Sequence, residues 1–278
     1  MTVACLHQPN FLPWTKLIDK ILASDVWIVY DSVQYTKSEF HSRQLVKGRQ
    51  GSVWLSVPLA RSGRPRFQTL RDVQVCGDHD WRSAHLRQLH EHYQRTPYWD
   101  DVRGLLEPIY RTGHTGLVDF TLDLTAALLG YLGGRTRIVS ASSLPHGGDN
   151  TDRLVQLTRA VGADTHLTST YGTERKYIDW ERVAADGISV SDQHFVHPVH
   201  DQPHGSFVPN LSVVDLLCNC GPDSARLLAE RRHTPVVLDA TDRSSSSRPA
   251  EPRLKHHPKR REALQKTHTR ISSRRPGW

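Results

Sequence analysis

The first thirty residues leave few folds open. Val3 to Leu6 is a short apolar run, the turn-rich His7-Gln8-Pro9-Asn10 follows it, and from Leu12 to Ala23 the residues Leu17, Ile18, Ile21 and Leu22 recur at helical spacing. Pro13 suits the first turn of that helix, where its missing N–H costs no hydrogen bond. Val26 to Tyr30 is β-branched and aromatic and is bounded by Asp25 and Asp31, which reads as a buried strand. Strand, helix and strand within 28 residues predict a tight βαβ unit with a parallel pair.

The alternation continues. A strand is expected at Val53 to Val57, stopped by Pro58, then helices at about Trp81 to Tyr93 and Leu117 to Leu132, the second closed by Gly133-Gly134, and a strand at Arg137 to Ser140. Asn150 or Thr151 can cap a helix running to Val161, before a short strand near Thr165 to Thr168 and a loop with Tyr171-Gly172. A short helix near Trp180 to Ala185 and a strand at Ile188 to Val190 come next. Leu211 to Cys218 is apolar and helical, and Gly221-Pro222 ends it before a last helix from Asp223 to Arg231. The pattern predicts an α/β fold whose mostly parallel sheet is flanked by helices.

Charge divides the chain. It holds 36 Lys and Arg against 29 Asp and Glu, a formal +7. Residues 243–278 carry 11 of the basic and 2 of the acidic groups, so residues 1–242 keep 25 and 27, a net −2. The body is therefore not a polyanion binder by composition, whereas the tail could bind RNA or another polyanion. Ser244 to Ser247, the prolines and the scarcity of apolar residues predict that 243–278 is a disordered basic tail beside one α/β domain over 1–242. No stretch approaches the roughly 18 to 20 apolar residues of a membrane span, so a cytoplasmic protein is expected. The four cysteines, Cys5, Cys76, Cys218 and Cys220, are too few and too scattered for a disulfide framework and read as reduced thiols.

In a parallel sheet the ligand crevice lies outside the carboxyl ends of the strands. His7, Gln8 and Asn10 follow the first strand; Asp31, Gln34 and Lys37 follow the second, with Arg43 beyond. If the βαβ unit forms, these clusters are neighbours, offering a titratable base, a carboxylate, two cations and amide donors for anionic substrate binding and acid/base work. The plain alternative is that His7 is a packed histidine, Asn10 a turn former and Asp31 the cap of a loop. A third cluster runs from Gln202 through Asn210 and Ser212 to Asp215 and Asn219, the last two four apart on one face of an apolar helix. Such a stripe lines a site, or it forms a buried network in which Ser212 caps the helix and Asp215 holds a neighbouring loop.

Other chemistries lack a signature. The 17 histidines, among them His85, His90, His92, His194, His197, His200 and His204, form no H-E-x-x-H or finger spacing, so no metal is expected. There is no G-x-x-x-x-G-K-[ST] phosphate loop, no G-x-G-x-x-G and no G-x-S-x-G elbow, and the sequence names no cofactor. Cys5, inside a short buried strand, reads as packing rather than as a nucleophile.

Taken together the motifs are familiar. His7-Gln8-Pro9-Asn10-Phe11-Leu12-Pro13-Trp14, Asp31-Ser32-Val33-Gln34-Tyr35 with Lys37, Ser142-Ser143-Leu144, Tyr177-Ile178-Asp179, and Phe207-Val208-Pro209-Asn210-Leu211-Ser212-Val213-Val214-Asp215-Leu216-Leu217 with Asn219-Cys220-Gly221-Pro222 resemble the WbqC-like family, in order, over about residues 3–230. The sequence departs from the family pattern at Ser32, where a second aspartate is usual, at Ser42-Arg43-Gln44 in place of Asn-Arg-Asn, and at His200 in place of a tyrosine. The resemblance implies a link to O-antigen and other surface-polysaccharide biosynthesis, where transfer of glycine to an amino sugar has been proposed. A looser similarity, to nucleotidyltransferases and class I synthetases (the HUP-like fold), rests on His7 and Asn10 before the helix at Pro13; the second histidine of that loop motif is missing.

The combined expectation is an enzyme that acylates or aminoacylates an amino group of a sugar or related metabolite. Its small-molecule substrates would be a nucleotide sugar or an activated acyl or aminoacyl donor. His7 would be the general base and Asp31 and Asp215 would orient groups or bind the amine, while Lys37 and Arg43 would hold an anionic group. Gln8, Asn10, Gln34, Ser142, Tyr177, Gln202, Asn210 and Asn219 complete the expected substrate contacts. The competing expectation is an accessory or nucleic-acid-binding protein that works through its tail.

Overall fold

The structure, a computed structural model, describes residues 1–60, 68–77, 80–169 and 176–230. The loop expected at Tyr171-Gly172 and the tail 243–278 lie outside the described residues. The predicted βαβ unit is present as β1 (Val3–His7), α1 (Thr15–Leu22) and β2 (Val26–Val29), with β1 and β2 parallel and Ala4 to His7 opposite Val26 to Val29. The other parallel strands are β5 (Arg137–Ser140), β6 (Thr165–Ser169) and β7 (Ser189–Gln193). Between β2 and β5 the chain adds an antiparallel hairpin, β3 (Arg43–Gly48) and β4 (Gly51–Ser56), and the helices α2 (Trp81–Tyr93), α3 (Trp99–Arg111) and α4 (Leu117–Tyr131). Helices α5 (Asn150–Ala160) and α6 (Trp180–Ala185) connect the later strands, and α7 (Val213–Cys220) and α8 (Asp223–Glu230) follow β7.

The five-stranded sheet runs β5-β2-β1-β6-β7. Counting its strands in chain order gives 3-2-1-4-5, the order of doubly wound sheets, with the direction of winding reversing between β1 and β6. Side chains confirm that both faces are covered. Cys5, Trp27, Val29 and Leu167 join one core with residues of α1, α4 and α7, while Ala4, Val26 and Ile28 join a second with Leu157, Val161 and Ala163 of the α5 region. Among the described residues no helix is long and apolar enough to cross a membrane.

Two local differences from the sequence expectation, and one expected helix end, have physical causes. Helix α3 forms although Gly104 and Pro108 both lie inside it, because Trp99, Val102, Leu106 and Tyr110 bury one face against the core. Helix α5 is capped by Asp149 rather than Asn150 or Thr151, in a reciprocal box where the Asp149 carboxylate accepts from Asp152 N and Asp152 accepts from Asp149 N. Gly221 ends α7 at φ 51°, and a Cβ there would meet the Tyr98 ring at 2.4 Å, so the residue serves a close approach as well as a turn.

His85 illustrates a packed histidine. Its Nε2 donates to Ser56 O at 3.0 Å, Nδ1 faces the Tyr110 hydroxyl, and Trp81 and Phe11 surround the ring. Burial pushes its pKa down from 6.5 to about 4. The unfolded chain therefore takes up a proton below about pH 6.5 that the native chain refuses until about pH 4. Stability should fall across that window by roughly 3 kcal/mol on account of this residue, with the full contribution present above it. Urea melts at pH 4.5 and 7.5 should show a smaller pH dependence for His85→Gln than for the wild type; equal dependence would disprove the assignment.

Candidate functional site

The carboxyl edge of the sheet is built around the end of β1. His7 is half-buried there; its Nδ1 donates to Gln8 O at 2.7 Å, which makes Nε2 the basic nitrogen. The His7 carbonyl accepts from the Trp27 indole at 3.2 Å and from Tyr30 N at 2.9 Å, so β2 fixes the start of the loop. On the other side β1 lies parallel to β6, with Val3 opposite Thr165 and Ala4 opposite His166. His7 thus ends the strand from which the direction of winding reverses.

The loop after His7 rests on residues 40–45. Phe11 N donates to Phe40 O at 3.1 Å, and His41 Nδ1 donates to Pro9 O at 3.3 Å. Among the described residues, five of the fifteen buried side-chain polar atoms without a hydrogen bond lie on these two segments: Asn10 Oδ1, Trp14 Nε1, His41 Nε2, Arg43 Nε and Gln44 Nε2. Native interiors satisfy most such atoms, which makes these touching segments a candidate ligand-facing region. Burial lowers the His41 pKa, leaving a neutral imidazole. Trp14, Phe40 and Trp54 form a run of rings 5.7 and 6.0 Å apart, ending at Trp54, which is 45% exposed. The Arg43 guanidinium lies 4.5 Å over Trp54 and donates to Ser38 O at 2.6 Å.

Asp31 is fully buried and engaged. Its carboxylate accepts from Ser142 N at 2.9 Å and Ser142 Oγ at 2.7 Å, tying the end of β2 to the turn after β5. Beside it Ser32 Oγ meets His146 Nε2 at 2.9 Å. Gln34 and Lys37 are exposed on the following segment, where Gln34 makes a single bridge to Thr69. Tyr177, 63% exposed ahead of α6, lies apart from these contacts.

The third cluster assembles as a network. Ser212 Oγ caps α7 by accepting from Val214 N. One turn in, Asp215 Oδ2 meets His200 Nε2 at 2.9 Å and Gln202 Nε2 at 2.6 Å; the His200 and Asp215 side chains are 4% and 2% exposed. Gln202 also clamps Val208, accepting from its N at 2.7 Å and donating to its O at 2.9 Å. Asn219 Nδ2 returns to Asp215 O at 2.7 Å, while the Asn210 backbone, at φ 61°, donates to His197 Nε2 at 3.2 Å. Tyr93 sits beside this network; burial first and the Asp215 charge second push its pKa far up. The network meets the His7 loop through α7, since Val213 N donates to Pro13 O and Ser212 N to Leu45 O.

Sequence reasoning did not single out His41, Gln44, Lys47 or Tyr93. The signal for Lys47 was available: a lysine flanked by Val46 and Gly48 in a strand is 1% exposed, with Nζ on Ser206 O at 2.5 Å and N bonded to the Tyr93 hydroxyl at 2.8 Å. Among the described residues no group of three or more His, Cys, Asp or Glu converges as a metal site.

Fold and site thus define a doubly wound α/β protein with a polar, aromatic-rimmed region at its switch point. The family model for the WbqC-like protein family matches residues 8–227, and the chain belongs to that family. It is 32% identical over 228 residues to the uncharacterized protein Rv1507c of Mycobacterium tuberculosis, covering 81% of this chain and 96% of that one. No solved structure matches.

Asp31→Ala should lower stability by about 1–3 kcal/mol, because Ser142 N–H and Oγ lose their acceptor. Chemical denaturation of Asp31→Ala, Ser142→Ala and the double variant should show coupling near 1 kcal/mol. Unchanged stability in Asp31→Ala would show that these bonds do not hold the fold.

Proposed function

We propose that the protein is a biosynthetic transferase that acylates or aminoacylates an amino group of a sugar or related metabolite. The observation that carries this reading is the place of His7: a half-buried imidazole with its basic nitrogen defined, at the end of β1 where the winding reverses. In open α/β sheets that is where small ligands bind. Family membership supports a link to surface-polysaccharide or specialised-metabolite pathways, and glycine is one acyl group that would suit the amino sugar acceptor.

His7 Nε2 takes a proton as the amine nitrogen bonds to the acyl carbon; the bond from that carbon to the donor's leaving oxygen breaks and the leaving group carries off the electron pair. Gln8 and Asn10 supply amide groups to the acceptor, the Trp14–Phe40–Trp54 run offers ring faces to a sugar, and Arg43 and Lys37 face the anionic part of the donor or acceptor. Asp31 and Asp215 are too buried to meet an amine. They act as positioning groups, Asp31 through Ser142 and Asp215 through His200 and Gln202. Ser142, Gln202, Asn210 and Asn219 then support the site through these bonds, and Gln34 and Tyr177 are exposed side chains left for the substrate to reach. No step calls for a metal.

The test is turnover of nucleotide sugars with activated acyl or aminoacyl donors, followed as amide formation. His7→Ala should lower turnover about 10²–10⁴-fold with little change in Tm; intact turnover would remove the base assignment.

The segment 243–278, with 11 basic and 2 acidic residues, favours a second reading in which polyanion binding matters. A chain ending at residue 242 should keep transferase activity and lose salt-sensitive RNA binding in a filter-binding assay. Loss of activity with the tail would place function there instead.

A further inference from the structure

A second polar site lies on the helical side of the β3–β4 hairpin. Arg49 at the hairpin tip, Glu91, His92, Gln94 and Arg95 at the end of α2, and His204 line a cleft of about 310 Å³. That volume suits a phosphate or diphosphate group with part of what it is attached to. Among the described residues neither guanidinium has a hydrogen bond or ion pair. His92 Nδ1 is buried without a partner. Two arginines and two imidazoles thus face one acidic side chain, Glu91, in a body whose net charge over residues 1–242 is −2.

The walls are tied to one another through one residue, by its backbone N–H and its side chain. Lys47 N donates to the Tyr93 hydroxyl at 2.8 Å and Lys47 Nζ donates to Ser206 O at 2.5 Å, so a single buried residue ties together the three segments that carry Arg49, His92 with Arg95, and His204. The chain turns sharply there, with His204 at φ 61° and Gly205 at φ 78°. Positive groups are also close enough to act on one another: burial lowers the His92 pKa first, Glu91 opposes it, and His204 and Arg49 lower it further. An anion in the cleft would relieve that repulsion.

We infer that this cleft binds the phosphate or diphosphate group of a small molecule, with Arg49 and Arg95 as the principal contacts and His92 and His204 as additional donors. The inference stands apart from the transferase reading, since none of these residues touches the His7 cluster's contacts. Glu91 supplies an acceptor in the same lining, which fits a hydroxyl of an esterified ligand better than a bare anion.

The test is isothermal titration of the full chain with inorganic pyrophosphate and with uridine diphosphate, using sulfate and a short RNA as comparisons. The basic segment 243–278 is common to all variants and cancels. One site per chain is expected, weakened about tenfold or more in Arg49→Gln/Arg95→Gln and tightened about two- to threefold in Glu91→Gln. Arg226→Gln, a surface cation paired with Glu230 on α8, should change nothing. Tighter nucleotide than pyrophosphate binding assigns a phosphate ester; the reverse assigns a free inorganic anion. The proposal falls if neither probe binds, if sulfate binds equally, or if the double variant matches the wild type. It also falls if Arg226→Gln weakens binding as much, or if only the RNA responds to Arg49 and Arg95, which would make the cleft a nucleic-acid contact.

Discussion

Everything at the polar edge of this protein depends on where β1 ends. Its ladder with β2 runs to His7 and is extended by the Trp27 indole and Tyr30 N, both on the His7 carbonyl. On its other flank β1 lies parallel to β6, with Val3 opposite Thr165 and Ala4 opposite His166. A central strand held this way delivers its terminal residue to a fixed place. That place is the reversal of winding, because the chain leaves the sheet in opposite directions from the two central strands.

Buried polar chemistry does two separate jobs around that edge. Asp31 and Ser142 stitch the end of β2 to the turn after β5 with two short bonds. Asp215, His200 and Gln202 do the same for the long segment before α7, which has little regular structure of its own and would otherwise leave its backbone unsatisfied. Asp31 uses both carboxylate oxygens for Ser142, whereas Asp215 uses Oδ2 for His200 and Gln202 and leaves Oδ1 buried without a hydrogen bond among the described residues. The aromatic run and the unpartnered polar atoms at residues 10–14 and 40–44 adjoin the second of these stitches, since Pro13 O and Leu45 O accept from Val213 N and Ser212 N at the head of α7.

Much of the fold was legible because it rests on periodicity. The βαβ unit, α2, α4, α5, α7, α8 and the short strands β5 to β7 all carry apolar spacing strong enough to read directly. What was not legible depends on partners far away. Helix α3 contains Gly104 and Pro108 and survives through burial of Trp99 and Tyr110. Strand β3 opens on Arg43 and Gln44 and contains Lys47, so its pattern does not look like a strand until Tyr93 and Ser206 supply partners. The three site clusters were visible as polar breaks at element ends, but their pairings were not: 111 residues separate Asp31 from Ser142 and 15 separate His200 from Asp215. Burial also changes meaning, since the Asp31 carboxylate, which looks like a reactive group in the sequence, has both oxygens engaged by Ser142.

The β3–β4 hairpin is a two-stranded ribbon outside the main sheet, and a lone ribbon is marginally stable in water. Its order is borrowed from Tyr93 of α2, from the segment at Ser206, and from Ser212 at the head of α7. The His7 edge, by contrast, draws its order from the parallel strands. The molecule therefore has two mechanical foundations. Backbone amides around β1 should share the slow opening of the sheet, whereas those of the hairpin follow whatever loosens the helices beneath it. A disturbance confined to the helical layer would blunt one polar surface and spare the other.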